Sequence, residues 1–292
     1  MPKIAYKDKN FSPSTLAVID QANEIIDEYQ TDGLKLTLRQ LYYQFVSRTL
    51  IANKQSEYKR LGSIINDARL GGLVDWEAIE DRTRILKRNS HWNDPGDIMQ
   101  SVVSSFKLDR WENQQYRVEV WIEKEALVGV IATICNELDV PYFACKGYVS
   151  ASEMWNASQR FQYLYGDQKP VVIHLGDHDP SGIDMTRDID DRQNIFAGGA
   201  VMNRIALNFD QIEKYNPPPN PAKLSDSRAS GYIEKYGAYS WELDALEPRT
   251  MRNLISDTIA QYRDNEIYQQ RLDLENEYKR VLHKVEANWK KL

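Results

Sequence analysis

Cysteine is scarce in this 292-residue chain: Cys135 and Cys145 are the only two, and they lack CxxC spacing. That excludes a disulfide framework, a cysteine-built zinc site and a dithiol redox pair, and leaves two plain buried thiols as the expectation. Long apolar runs are missing too. The longest, Ala126 to Ile134, falls well short of the roughly 20 residues that span a bilayer. No apolar segment follows the lysines of the first ten residues, so no secretory signal is visible. We therefore expect a cytoplasmic protein with no membrane partner. Histidine occurs four times (His91, His174, His178, His283) and is scattered, and none is assigned to catalysis. No GxxxxGK phosphate loop is present, which excludes a Walker-type ATP site. Net positive charge is also lacking: the chain carries a formal charge of -6.

What is there begins with local asymmetry that the whole-chain charge hides. From Lys35 to Trp92, eleven basic residues stand against six acidic ones, so a polyanion has a place to dock on an otherwise acidic protein. Ser12-Pro13 is a helix start, followed by Leu16, Ile19, Ala22, Ile26 and Tyr29 at helical spacing. Thr37 caps a second helix with the stripe Leu38, Leu41, Tyr42, Phe45 and Val46. SEYKRLGSIINDARLGG reads as a third helix stopped by Gly71-Gly72. Its Lys59, Arg60, Ser63 and Asn66 fall opposite Tyr58, Leu61, Ile65 and Ala68, as a helix laid in a DNA groove presents them. The segment LVDWEAIEDRTR then folds back as a strand-containing wing, with Arg82 and Arg84 on it, so residues 1–92 are expected to form a winged helix-turn-helix domain that contacts mainly phosphates.

NSHWNDPGD is rich in turn formers, and residues 93–116 are read as a linker. Strands RVEVWIE, VPYFA, PVVIHLGD and NRIAL then alternate with helices over Ala126 to Leu138 and Glu153 to Tyr165. That rhythm implies an α/β domain, a parallel sheet covered by helices, over 117–246. Two charged amphipathic helices, Pro248 to Tyr262 and about Glu266 to Trp289, form a C-terminal extension over 247–292.

Two motifs carry chemistry. In HLGDHDPSG an apolar strand runs into Asp177 and Asp179, which point the same way in an extended chain at the carboxyl edge where ligands of open α/β sheets bind. Glu123 ends an earlier strand and reaches the same edge if the two strands are neighbours. Repelling carboxylates of this kind suit a hard divalent cation with oxygen ligands, Mg²⁺ above all. In LRQLYYQ, at about 100° per residue, Tyr42 lies within the apolar stripe and Tyr43 about 130° from its centre, so Tyr42 is expected in the core and Tyr43 at the surface. Arg39 lies one turn before Tyr43, placing a guanidinium and a phenol on one face, as a phosphate-holding group beside an oxygen nucleophile requires.

The order RxLYY, IEKEAL, KGY, GDHDPSG and WELDAL, spread from about Leu34 to Leu246, resembles the A subunit of type IIB DNA topoisomerases (topoisomerase VI) and the related meiotic double-strand-break transesterase, in a compact bacterial or phage form. The resemblance implies a winged-helix domain joined to a Toprim domain. It further implies Mg²⁺-dependent DNA strand cleavage by tyrosine transesterification, with Tyr43 as nucleophile supported by Arg39. Glu123, Asp177 and Asp179 take the place of the Toprim metal ligands, Lys146 belongs to the KGY turn near the DNA, and Glu242 resembles the family's late glutamate. A homodimer is implied as well, because in that family the tyrosine of one subunit meets the metal of the other. ATP-driven strand passage requires a separate ATPase subunit. Two further readings of the same residues stand beside this one: a Toprim hydrolytic nuclease with no covalent intermediate, and a non-catalytic DNA-binding partner.

Overall fold

The computed structural model describes residues 3–80, 89–196 and 198–289. Its first unit is helical. Helix α1 (Pro13–Thr31) starts where Ser12 Oγ accepts from Thr15 N, and α2 (Leu38–Ser47) starts at a full capping box made by Thr37 and Gln40. Helix α3 (Gln55–Leu70) ends at Gly71. The three helices share a core of Ile19, Ile25, Tyr29, Leu41, Phe45, Leu61 and Ile65. The expected wing is described only as far as Glu80. Residues 73–80 form no hairpin there, only a single parallel bridge from Ile79 to Leu36. Arg82 and Arg84 lie outside the described residues.

The stretch read as a linker contains helix α4 (Pro95–Ser105). Asp94 and Pro95, counted as turn formers, are its cap and first residue: Asp94 accepts from Asp97 N. A four-stranded parallel sheet follows, ordered β2-β1-β3-β4, from β1 (Tyr116–Ile122), β2 (Tyr142–Ala144), β3 (Lys169–Leu175) and β4 (Val201–Ala206). Helices α5 (Val128–Glu137), α6 (Ala151–Gln159) and α7 (Pro180–Ile195) alternate with the strands. The parallel sheet flanked by helices is thus as expected from the rhythm of the sequence.

Both faces of the sheet are covered, which is why its strands read as continuous apolar runs. Val118, Val120, Ile122, Val171, Ile173 and Leu175 pack with Ile131 of α5 and Ile255 of α10 (Pro248–Tyr262). Trp121 and Val172 on the other face meet Met154, Phe161 and Ile189. Between the sheet and α10 lie two short helices, α8 (Phe209–Tyr215) and α9 (Ala229–Tyr236), and a two-stranded antiparallel ribbon, β5 (Asn220–Pro221) with β6 (Tyr239–Ser240). Helix α11 (Asn265–Asn288) closes the chain and packs against α4. Among the described residues, no helix is long and apolar enough to cross a membrane.

Candidate acidic site at the carboxyl edge of the sheet

Pairing of β1 with β3 makes Glu123 and Asp177 neighbours. Glu123 N donates to Leu175 O (2.8 Å), carrying the ladder one residue past the strand, and Glu123 Oε2 accepts from Asp177 N (2.8 Å). Asp179 caps α7, its Oδ1 accepting from Gly182 N (2.6 Å) and Ser181 Oγ (2.9 Å). DHDPSG is therefore a strand-to-helix turn and not a loose loop. Gly182 is required there because a Cβ would stand 2.3 Å from Asp177 O. Arg204 of β4 ties the turn down from below, donating to Gly176 O (3.0 Å), Asp177 O (2.7 Å) and Gly182 O (3.0 Å).

Besides Arg204, Lys124 and Arg39 bring positive charge to this edge. Lys124 Nζ stands 2.9 Å from Asp177 Oδ2, 2.9 Å from Asp244 Oδ2 and 3.1 Å from Glu242 Oε2. Arg39 of α2 pairs with Glu242, and its Nε lies 3.1 Å from Asp244 Oδ2. The other oxygen of Asp177 accepts from Leu243 N (2.7 Å). One ionic chain thus runs from α2 through the turn at 242–244 to the sheet edge.

Charge is unevenly balanced along that chain. Burial opposes the Lys124 charge, but Asp177, Asp244 and Glu242 outweigh it and hold its pKa above the usual lysine value. Glu242 is held below the carboxylate range by Lys124 and Arg39, against the effect of its burial. Among the described residues no cation forms an ion pair with Glu123, although Lys124 acts to lower its pKa. Burial first, and then the charge on Asp177, push it up to about 7. Asp177 is raised as well, by burial, with Lys124 pulling the other way.

Of the sequence-derived ligands, Glu123 and Asp177 are in contact. Asp179 is near enough to add to the shift on Glu123, with one oxygen committed to the helix cap. Among the described residues, no three His, Cys, Asp or Glu side chains are grouped as an ion site. Glu123 and Asp177 offer buried carboxylate oxygens of the type a hard cation takes, but here both Asp177 oxygens are engaged, one by Lys124 and one by Leu243 N.

Tyr43 requires a correction. It is not at the surface but 3% exposed, as buried as Tyr42 at 4%. A helical wheel knows only the amphipathicity of α2 itself, whereas the face that carries Tyr43 is roofed by the turn Leu243–Ala245 from about 200 residues away. Arg39 stands 5.7 Å over the Tyr43 ring, and burial, followed by the charge of Glu242, pushes the phenol up to about 12. Tyr42 is held by Asn53 (2.9 Å) and by edge-to-face contact with Tyr58.

On α3, Lys59, Arg60, Ser63 and Asn66 are all exposed while Leu61, Ile65 and Ala68 are buried, as their spacing requires. Lys146 is exposed, pairs with Glu125 (2.7 Å) and lines a cleft of about 680 Å³ together with Lys35, Glu80 and Tyr142. His178 points away from the aspartates, with Nδ1 2.6 Å from Tyr232 Oη and its ring among Phe209, Tyr236 and Trp241. Both thiols are buried and free, and burial pushes each up to about 12. Sequence reasoning missed Lys124, Asp244 and Arg204. The first two lie inside IEKEAL and WELDAL and carry a charge beside a residue already singled out, whereas NRIAL gives Arg204 no local mark. No known family model matches the chain, and no curated protein matches it.

Proposed function

We propose that this chain cleaves DNA strands in a divalent-cation-dependent transesterification, as the A subunit of topoisomerase VI does, with a winged-helix-like N-terminal unit presenting the duplex to a Toprim-like sheet. The observation that carries this reading is the ionic chain Arg39–Glu242–Lys124–Asp177, which brings the arginine and tyrosine of α2 to the same sheet edge as Glu123 and Asp177. Glu123, Asp177 and Asp179 would hold the cation, which supplies charge neutralisation at a phosphate oxygen.

The remaining steps belong to the side chains. Lys59, Arg60, Ser63, Asn66 and Lys146, together with Arg82 and Arg84, meet the DNA backbone and give little sequence preference. Arg39 holds a phosphate oxygen next to Tyr43. As the Tyr43 oxygen forms a bond to phosphorus its phenolic proton passes to water, the phosphorus–sugar oxygen bond breaks, and the departing sugar oxygen takes a proton from water, so the exchange is proton-neutral. The family resemblance implies that the phenol of one subunit attacks a phosphate held at the carboxylates of the other, so the ionic chain within one copy sets where α2 stands relative to the sheet edge and is not itself the reacting pair. Any strand passage driven by ATP falls to a separate ATPase subunit.

One observation favours a second reading. A phenol 3% exposed and pushed up to about 12 is a poor nucleophile where it stands, which suits a hydrolytic nuclease in which water attacks and Tyr43 packs. Denaturing gels with end-labelled DNA and Mg²⁺ separate the two. Transesterification predicts a covalent protein–DNA adduct with the wild type, none with Tyr43→Phe and none with Asp177→Asn. Cleavage by Tyr43→Phe at the wild-type rate with no adduct sinks it in favour of hydrolysis.

A further inference from the structure

Lys124 holds three carboxylates with one ammonium. Its Nζ meets Asp177 Oδ2, Asp244 Oδ2 and Glu242 Oε2, so each of its three N–H donors has an anionic oxygen. The two oxygens of Asp177 are held in different ways. Oδ1 accepts from Leu243 N, a backbone donor in the turn that roofs α2, whereas Oδ2 is held by the tip of a flexible four-carbon side chain. The Lys124 side chain is 22% exposed, so solvent reaches it. Asp177 can therefore free Oδ2 without any movement of the backbone.

The turn at 242–244 offers the ammonium a replacement. Asp244 is buried, and among the described residues its Oδ1 has no hydrogen-bond partner. A buried acceptor without a donor is costly, and a Lys124 N–H released from Asp177 belongs to an ammonium already bound to the other oxygen of the same carboxylate. Lys124 thus has two positions of comparable chemistry, one that covers Asp177 and one that leaves it open. A ligand that needs the open form binds more weakly by the fraction of time that form is populated.

We infer that Lys124 is a displaceable internal cation: its ammonium covers Asp177 Oδ2 in the free protein and withdraws onto Asp244 and Glu242 when a divalent cation takes that oxygen, so this one lysine sets how tightly the site binds metal. The inference rests on the cation site of the proposed function and not on Tyr43. Its probe is Mn²⁺, which suits the same oxygen ligands as Mg²⁺. Electron paramagnetic resonance reads the free ion as it is titrated into the chelator-treated full chain without DNA.

Lys124→Met is expected to bind Mn²⁺ about tenfold more tightly than wild type, whereas loss of a merely structural lysine would weaken the site. Asp244→Asn is expected to bind about threefold more weakly, because it removes one of the two carboxylates that receive the ammonium. Placed in Lys124→Met, the same substitution is expected to change nothing, since no ammonium is left to receive. That double variant strands one charge fewer, and it replaces Lys124→Met in the comparison if the single variant folds poorly. Lys235→Met controls for charge alone. Lys235 is exposed on α9, whose Tyr232 and Tyr236 touch His178, and among the described residues it pairs with no carboxylate. Its removal is expected to shift affinity by less than about twofold. Lys124→Met and the double variant binding no more tightly than wild type overturns the inference, as does an equal gain from Lys235→Met or an Asp244→Asn loss that persists without Lys124. If Asp177→Asn abolishes Mn²⁺ binding in those cases, the cation site stands and only the displacement falls. Binding that survives in Asp177→Asn sinks both.

Discussion

Glu123 sits where two requirements conflict: it must accept from Asp177 N, and it must do so buried beside another carboxylate with no ion-pair partner among the described residues. Its pKa in the folded protein lies above the ordinary value of 4.5, so folding favours its protonated form. The sign follows directly. Stability from this group is fully present below about 4.5 and is lost as pH climbs towards about 7. Glu123→Gln keeps an oxygen for Asp177 N and removes the charge. In metal-free protein with chelator present, urea titration is expected to show Glu123→Gln more stable than wild type by about 2 kcal/mol at pH 8 and indistinguishable at pH 4.5. A variant less stable at pH 8 would mean that the charge is compensated in the folded protein. With Mg²⁺ added, the order at pH 8 is expected to reverse if Glu123 is a ligand.

At the scale of the element, local rules carried far. Ser12-Pro13 and Thr37 mark the starts of α1 and α2, Gly71 the end of α3, and the apolar strands a parallel sheet covered by helices. Helices set among turn-forming residues were illegible: α4 starts at Asp94-Pro95, α7 starts inside DHDPSG, and α8 and α9 stand on either side of the proline-rich stretch 217–221. Tyr43 was misplaced because its cover comes from a distant segment. The contact of Glu123 with Asp177 was readable once β1 and β3 were assumed adjacent, whereas Arg204 was not, since its role depends on the register of β4. Asp179 shows how one residue serves two levels. It caps α7, and in the proposed reaction it is a ligand. The roles separate by substitution: Asp179→Asn keeps a capping oxygen and is expected to match wild-type stability within about 0.5 kcal/mol, whereas Asp179→Ala costs about 1 kcal/mol by thermal melting. Cleavage is expected to fail in both. An Asp179→Asn protein that cleaves normally would reduce this residue to a cap.

Across the whole molecule, Lys124 is the joint. Its ammonium is shared by Asp177 at the sheet edge and by Glu242 and Asp244 on the turn that roofs α2, and Arg39 completes the tie from the helical unit. Asp244 is 3% exposed, and among the described residues its Oδ1 has no hydrogen-bond partner, while its Oδ2 meets both Lys124 and Arg39. Removing one partner from a buried ionic cluster costs more than the pair contributes, because the charges left behind remain desolvated. Lys124→Met preserves the aliphatic stem and is therefore expected to lower stability by about 3 kcal/mol. Adding Asp244→Asn, which removes one stranded charge, recovers part of that loss. Equilibrium denaturation of wild type, both single variants and the double variant closes the cycle. Simple additivity would show that Lys124 and Asp244 do not act through each other. A large coupling, accompanied by faster amide exchange in α2 of Lys124→Met, would show that this one side chain holds the tyrosine-bearing helix to the carboxylates of the sheet.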